Sequence, residues 1–226
     1  MLIDHMGLML FPTYPIFRIL GRISFPIFAF MIAEGCHYTK CKWKYFLSIF
    51  ILGVGCQVAY YIADRTIELG ILITFSISIL IVFALQFFKQ SFFAKSKKIL
   101  KILLSLFALT CLIVGTYFLC KNVVVDYGFW GCLAPAFASL IRKPKGVISP
   151  VWDKIDNHLT RLVLFGGCLV LIALNSSMKS QIYSLFALIL LLLYSGRRGR
   201  FKMKYFFYLF YPLHFAVLYA IVYFIR

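Results

Sequence analysis

Residues 69–88 read "LGILITFSISILIVFALQFF", a run of twenty residues without a charged side chain. A helix of about 20 apolar residues spans the hydrocarbon core of a bilayer, so this run predicts a transmembrane helix. The rest of the chain has the same character, because 63% of its 226 residues are hydrophobic and 14% are charged. Soluble domains are nearer to about half apolar and about a quarter charged. The sequence therefore indicates an integral membrane protein.

Apolar runs of similar character recur on both sides of this one. They predict nine transmembrane spans, at residues 1–11, 16–34, 45–63, 69–88, 99–119, 125–141, 161–175, 180–195 and 205–225. Because the breaks between them are short, we predict an all-α, polytopic transmembrane helix bundle that forms one integral-membrane domain over residues 1–226. Eleven helical residues rise only about 16 Å against a core of about 30 Å, so we expect the first span to be truncated.

Most of the 24 lysines and arginines lie in alternate breaks. The basic breaks are at residues 40–44, 89–101, 142–161 and 197–204. Basic loops stay on the cytoplasmic side, so we expect the N-terminus inside and the C-terminus outside. This placement accounts for the net charge of +17, which therefore does not indicate a nucleic-acid partner. Residues 146–159 predict a short amphipathic helix on the membrane surface, with an ordinary polar loop as the alternative.

A few ionisable side chains lie within the predicted spans, where each costs about 2.5–3.5 kcal/mol on insertion scales. They are Asp4, His5, Arg18, Arg22, Glu34, Asp126 and His214. Such residues indicate a functional site by default. Structural alternatives stay open: Arg18 as an interfacial anchor, Glu34 as a solvated helix end, Asp126 as a helix N-cap, and Asp4 with Arg22 as a structural ion pair.

Four of these side chains are expected to meet near the outer membrane face. The chain leaves the membrane near Pro12 and re-enters near Pro15, so the first two spans are neighbours. His5 then lies about 10 Å below the surface, and the two arginines, which share a helix face, lie about 5–10 Å below it. We expect Asp4 to pair with an arginine while His5 faces a cavity.

This group of residues suits two kinds of chemistry. An imidazole in a cavity suits general-base catalysis, and nearby arginines can hold anionic groups or stabilise an oxyanion. The same residues suit a proton-coupled transporter, in which His and Asp relay protons and Arg binds an anion. The residues alone leave both functions open. A metal site is not expected, because Cys36, His37 and Cys41 have no matching set of further ligands.

Five stretches of the chain resemble the TraX family. They are "LIDHMG" (2–7), "FRILGRISFPIFAFMIAEGCHYT" (17–39), "DYGFWG" (126–131), "QIYSLFALILLLLYSGRRG" (181–199) and "YFFYLFYPLH" (205–214). The family is named for a membrane protein of conjugative plasmids that acetylates F pilin. The resemblance implies a multi-pass acyltransferase of the bacterial cytoplasmic (inner) membrane that uses acetyl-CoA or another acyl-CoA. Membrane lipid and a pilin-like protein or an envelope polysaccharide are the implied partners.

Carried over residue by residue, the resemblance implies a catalytic role for His5, with Asp4 beside it. It implies substrate or co-substrate binding by Arg18, Arg22, Glu34, Asp126, Tyr127, Tyr211 and His214. Two departures from the family pattern are visible. A glutamate that the family carries after the third span has no counterpart in "CQVAYYIAD" (56–64), and the apolar stretch before the Asp-His pair is shorter here. The alternative functions are a transporter or flippase for a small anionic solute and a non-catalytic conjugation or envelope assembly factor.

Overall fold

A computed structural model of the chain describes residues 1–65, 68–94, 98–144, 150–176, 178–196 and 204–225. The helices are α1 (Leu2–Met9), α2 (Pro15–Arg22), α3 (Ser24–Tyr38), α4 (Lys42–Asp64), α5 (Ile71–Phe92), α6 (Ile99–Asn122), α7 (Gly128–Ser139), α8 (Pro150–Ile155), α9 (His158–Asn175), a 3₁₀ helix (Lys179–Phe186), α10 (Ala187–Leu192) and α11 (Lys204–Ile225). The two-residue strands β1 (Glu68–Leu69) and β2 (Val124–Val125) form a parallel pair. Because 82% of the chain is helical, the predicted all-α fold is confirmed.

Five helices among the described residues are long and apolar enough to cross a membrane. They are Pro15–Tyr38, Lys42–Ile62, Ile71–Phe92, Ile99–Asn122 and His158–Asn175. Shorter apolar helices lie at Lys179–Leu192 and Leu209–Val222. The helices therefore follow the predicted apolar runs, but fewer than nine of them have the full length of a span.

The predicted second span is interrupted near its middle. Pro15 takes the first position of α2, where its missing N–H costs nothing. Pro26 cannot donate to the carbonyl of Arg22 four residues earlier, and the helix breaks at Ile23 between the two. The hydroxyl of Ser24 donates instead to the Gly21 carbonyl at 2.7 Å. Pro26 and the hydrogen bond of the Ser24 hydroxyl thus define the junction between α2 and α3.

Three predicted spans are shorter in the structure. The first becomes the eight-residue α1, and the eighth becomes the 3₁₀ helix followed by the six-residue α10. The sixth becomes the twelve-residue α7, which rises only about 18 Å. Helix α7 begins later than predicted because Tyr127 and Gly128 form a turn with φ of 61° and 59°. The apolar pattern does not indicate this turn.

The chain divides into two compact units. Unit 1 contains Met1–Phe28 and Ser176–Arg226, and unit 2 contains Ala29–Asn175. The single domain expected from the sequence stays a prediction. In unit 1, α1 contacts α2 and α11, and the 3₁₀ helix contacts α2 and α10.

In unit 2, α5 is the central helix. It contacts α4, α6 and α7, and α7 in turn contacts α9. The most apolar stretch of α5 is 56% buried, against 17% in α4 and 11% in α6. The apolar side chains of α4 and α6 therefore face outward, as lipid-facing helices do.

The described parts of the breaks between the helices of unit 2 lie at its two ends. Weakly charged breaks lie at one end and basic breaks at the other, as the alternation of charge predicts. At one end β1 pairs with β2, and the Asp126 amide donates to the Leu69 carbonyl at 3.0 Å. At the other end Lys89 contacts the chain just after α7. The described parts of the basic breaks 89–101 and 142–161 thus lie together, while the side of the membrane that they face stays a prediction.

The amphipathic helix predicted over residues 146–159 is present in part. Residues 145–149 lie outside the described residues, and α8 covers Pro150–Ile155. Its Trp152 makes an edge-to-face contact with Phe93, at 5.3 Å between ring centroids. Asp156 and Asn157 then separate α8 from α9.

Candidate functional site

The first two helices of unit 1 approach each other closely through glycine. A Cβ at Gly7 would lie 2.6 Å from the Cβ of Phe17, and a Cβ at Gly21 would lie 2.7 Å from the Cα of Asp4. Such distances leave no room for a side chain. The two glycines therefore allow the contact that holds Asp4 and its neighbour His5 against α2.

Asp4 pairs with an arginine, as predicted, but the partner is Arg18 rather than Arg22, the arginine expected at the depth of Asp4. The Asp4 carboxylate and the Arg18 guanidinium lie 2.9 Å apart, with 15% and 19% of the two side chains exposed. The same guanidinium donates to the Asp4 carbonyl at 3.5 Å. The pair is therefore shielded but still reachable from outside.

The two arginines of α2 converge on one sulfur atom. They occupy positions i and i+4, and both donate to Sδ of Met178, Arg18 at 3.6 Å and Arg22 at 3.0 Å. Arg22 is buried, at 8% exposure. A thioether is a weak, uncharged acceptor, so this position between two guanidinium groups would favour an anion.

The 3₁₀ helix brings two further polar side chains into the core of unit 1. Gln181 and Ser184 are 2% and 0% exposed. Gln181 Nε2 and Ser184 Oγ have no hydrogen-bond partner within the part of the chain that the structure describes. The sequence hypothesis did not include them, and their only signal was a polar residue inside a mostly apolar stretch.

The centre of the site is a pair of histidines from opposite ends of the sequence. Nε2 of His214 and Nδ1 of His5 are 3.2 Å apart, and Nδ1 of His214 is 2.9 Å from the Phe210 carbonyl. A carbonyl only accepts, so Nδ1 of His214 carries the proton and its Nε2 is the acceptor. In the neutral pair His5 therefore donates from Nδ1, and its Nε2 carries the lone pair.

Aromatic rings surround the histidine pair. The Phe215 ring lies 4.2 Å from the His5 ring, and Tyr211 makes an edge-to-face contact with His214 at 5.3 Å. Phe210 stacks on His214, also at 5.3 Å. Low polarity around the rings strengthens the hydrogen bond between them. Tyr211 thus lies at the site because its ring contacts His214, and its binding role stays a prediction.

The remaining predicted site residues lie in unit 2. Asp126 and Tyr127 form the turn before α7, where Thr74 Oγ1 donates to the Asp126 carbonyl at 3.1 Å. Glu34 of α3 accepts hydrogen bonds from Arg142 and, at 2.9 Å, from Arg161. The binding roles implied for Glu34, Asp126 and Tyr127 stay predictions.

Glu34 belongs to a second charged cluster, which the sequence hypothesis did not assemble. Arg161 Nε lies 3.4 Å from an Asp156 oxygen, and the other Asp156 oxygen accepts from the Lys143 amide at 2.8 Å. Arg142 and Arg161 were interpreted from the sequence only as topology signals. Within the described residues, no group of three His, Cys, Asp or Glu side chains is arranged to hold a metal ion.

The fold and the site together define a helical membrane protein with a histidine pair and a pair of arginines in one compact unit. The comparison with family models gives the family. The model described as "TraX protein" matches residues 1–222, so the chain belongs to the TraX family. No curated protein and no solved structure matches the chain.

Proposed function

We propose that this chain is an integral-membrane acyltransferase that moves an acyl group, such as acetyl, from acyl-CoA to a protein amine or an envelope glycan. The observation that carries the proposal is the His5–His214 pair, whose facing nitrogens are 3.2 Å apart. Membership of the TraX family supports it. We place the protein in the bacterial cytoplasmic membrane, with the N-terminus inside and a pilin-like protein or an envelope polysaccharide as acceptor.

His5 is the general base. Its Nε2 takes the proton from the acceptor amine or hydroxyl while that atom attacks the carbonyl carbon of the thioester. The carbon–sulfur bond then breaks, and the proton passes from Nε2 to the leaving thiolate. Throughout, the N–H of His5 Nδ1 points at His214, which fixes the ring in the useful tautomer. His214 is thus a positioning residue.

Arg18 and Arg22 supply positive charge. Both donate to the weakly accepting sulfur of Met178, which an anionic group of a substrate or a developing oxyanion would replace. Asp4 offsets part of the charge of Arg18 and holds its guanidinium in place.

The decisive experiment compares His5→Ala with the matched variant His158→Gln. Purified protein is incubated with radiolabelled acetyl-CoA and an envelope fraction. We expect wild type and His158→Gln to label an acceptor, and His5→Ala to transfer about 10²–10⁴-fold more slowly, the usual contribution of a general base. His158 is a suitable control because its ring contacts Phe30 in unit 2. Equal transfer by His5→Ala would contradict the proposal.

The same protein reconstituted in vesicles separates the alternatives. The arginine pair and the histidine pair also suit proton-coupled movement of an anion. Uptake of a small anionic solute that depends on Arg22, without transfer to any envelope fraction, would identify a transporter. A phenotype that survives both His5→Ala and Arg22→Gln would identify a non-catalytic assembly factor.

A further inference from the structure

The 3₁₀ helix of unit 1 has one face that repeats every third residue. Met178, Gln181 and Ser184 share this face, because side chains three residues apart lie above one another on a 3₁₀ helix. An α-helix, at about 100° per residue, would turn the last of them about 120° away from the first. Gln181 and Ser184 are buried, and the apolar Ile182 and Phe186 between and beyond them are exposed. The helix thus directs polar groups inward, as expected of a helix between a polar interior and lipid.

Two side chains of this face have polar atoms that lack a hydrogen bond. Gln181 Nε2 and Ser184 Oγ find no partner within the part of the chain that the structure describes. A buried polar group without a partner destabilises a protein, and most such groups in proteins are paired. Ala187, which continues the same buried face one turn later, carries no such group. The two donors therefore suit a ligand that brings acceptor oxygens.

Met178 connects this face to the site of the proposed reaction. Its sulfur accepts hydrogen bonds from Arg18 and Arg22, and Arg18 also pairs with Asp4, the neighbour of His5. A 3₁₀ helix rises about 2 Å per residue, so the other two residues of the face lie about 6 Å and 12 Å further along its axis. The face therefore continues from the arginine pair as a row of neutral donors.

We propose that Gln181 and Ser184 bind the two amide carbonyls in the pantetheine arm of the acyl-CoA donor, an inference that rests on the proposed acyl-transfer function. Counted from the thioester carbonyl, this arm carries one secondary amide and then a second. Successive carbonyl carbons are four or five bonds apart, which is about 5–6 Å in an extended chain. A thioester held at the arginine pair thus brings its two amides to the levels of the two neutral donors. Neutral donors suit amide oxygens, whereas guanidinium groups suit anionic oxygens.

The experiment measures donor binding and stability on the full-length protein in detergent, without an acceptor. S-Acetyl-pantetheine, which carries the arm without the nucleotide, is titrated while thermal unfolding is followed, since a ligand of the native state raises its stability. The variants are Gln181→Met, which keeps the length of the side chain but cannot donate, and Ser184→Ala. The matched control is Ser78→Ala, because Ser78 is equally buried but its hydroxyl bonds to the carbonyls of Thr74 and Cys132.

The variants and the control should respond in opposite ways. Without ligand, Gln181→Met and Ser184→Ala should unfold at the temperature of wild type or above it, because each removes a buried polar group that lacks a partner. Their apparent dissociation constants for S-acetyl-pantetheine should rise about three- to tenfold, the effect of one neutral hydrogen bond. Ser78→Ala should unfold at a lower temperature and bind S-acetyl-pantetheine as wild type does.

The inference is overturned if S-acetyl-pantetheine does not stabilise wild type, or if it stabilises both variants equally well. It is also overturned if both variants lower the unfolding temperature as Ser78→Ala does, because the two residues would then be structural. Acetyl transfer to an envelope fraction is assayed separately. Transfer by wild type with unchanged donor binding in both variants would remove this inference alone. Weakened donor binding in the variants, without any transfer by wild type, would retain the binding row and contradict the proposed enzyme.

Discussion

The two charged clusters of the molecule use the same residue types in opposite ways. In unit 2, one buried carboxylate, Glu34, accepts from two arginines, and Asp156 engages the second arginine again. In unit 1, Arg18 pairs with the partly exposed Asp4 carboxylate, and both Arg18 and Arg22 donate to a methionine sulfur. The first cluster directs its arginines at carboxylates, and the second directs two guanidinium groups at one uncharged sulfur.

This difference points to a structural role for the charged cluster of unit 2 and a chemical role for the charged cluster of unit 1. A buried charge network with engaged partners holds helices together and resists change. A cluster that directs two guanidinium groups at a neutral sulfur, beside an imidazole pair, is a candidate for binding an anionic group. Ionisable residues within predicted spans therefore have to be judged by the balance of donors and acceptors, not by their presence alone.

The largest expected effect on stability is at Glu34. Glu34→Gln leaves the guanidinium groups of Arg142 and Arg161 buried without their shared countercharge, which should lower the free energy of unfolding by about 3–5 kcal/mol. Thermal or denaturant unfolding in detergent measures this. Glu68→Gln, at an exposed glutamate, is the control and should unfold like wild type. A stability of Glu34→Gln equal to wild type would show that the engaged cluster is not structural.

The next effect is on catalysis, at His214. His214→Leu removes the acceptor for His5 Nδ1–H, and the loss of one hydrogen bond should lower kcat roughly tenfold with little change in KM. His214→Gln can still accept through its side-chain carbonyl, so it should recover part of the loss. Steady-state kinetics with labelled acetyl-CoA distinguish the two variants. If both lost the same activity, His214 would serve packing rather than orientation.

A smaller effect tests the close approach of α1 and α2. Gly21→Ala places a methyl group against Asp4, and the resulting overpacking should cost about 1–3 kcal/mol of unfolding free energy. Gly55→Ala is the matched control, because a Cβ there meets nothing within 4 Å. That variant should be unchanged or slightly more stable, since alanine favours helix more than glycine does. Equal unfolding curves for the two variants would contradict the glycine contact.

The smallest effect is expected at Asp4. Asp4→Asn removes the charge from a partly exposed ion pair, which should cost at most about 1 kcal/mol of unfolding free energy. The contrast with Glu34→Gln in the same unfolding assay is the sharpest test of the comparison between the clusters. A larger loss at Asp4 than at Glu34 would reverse our assignment of the two roles.

Much of the fold follows from the sequence, because a membrane helix must be long and apolar. The twenty uncharged residues at 69–88 fall almost wholly within α5. The pairing of Asp4 with an arginine of α2 also follows, since a short connection makes α1 and α2 neighbours, although the partner is Arg18 and not Arg22. Both predictions depend on local distances along the chain.

The parts that could not be predicted depend on contacts between distant residues or on backbone conformation. Glu34 meets Arg142 and Arg161 across more than a hundred residues, so positive charges that set topology could not be recognised as its partners. The 3₁₀ helix has a mixed composition that also fits an α-helix. The residues left open both general-base catalysis by His5 and proton-coupled transport, and the family resemblance favoured the first. The hydrogen bond between His5 and His214 required the structure.

The acceptor that orients His214 is a main-chain carbonyl, that of Phe210. No side-chain substitution at Phe210 deletes this oxygen, so random mutagenesis should not identify the group that orients His214. A carbonyl also brings no full negative charge, so the imidazolium formed during the reaction has no carboxylate behind the pair. His5 should therefore hold the proton only briefly, which favours its transfer to the leaving thiolate over its storage on the imidazole.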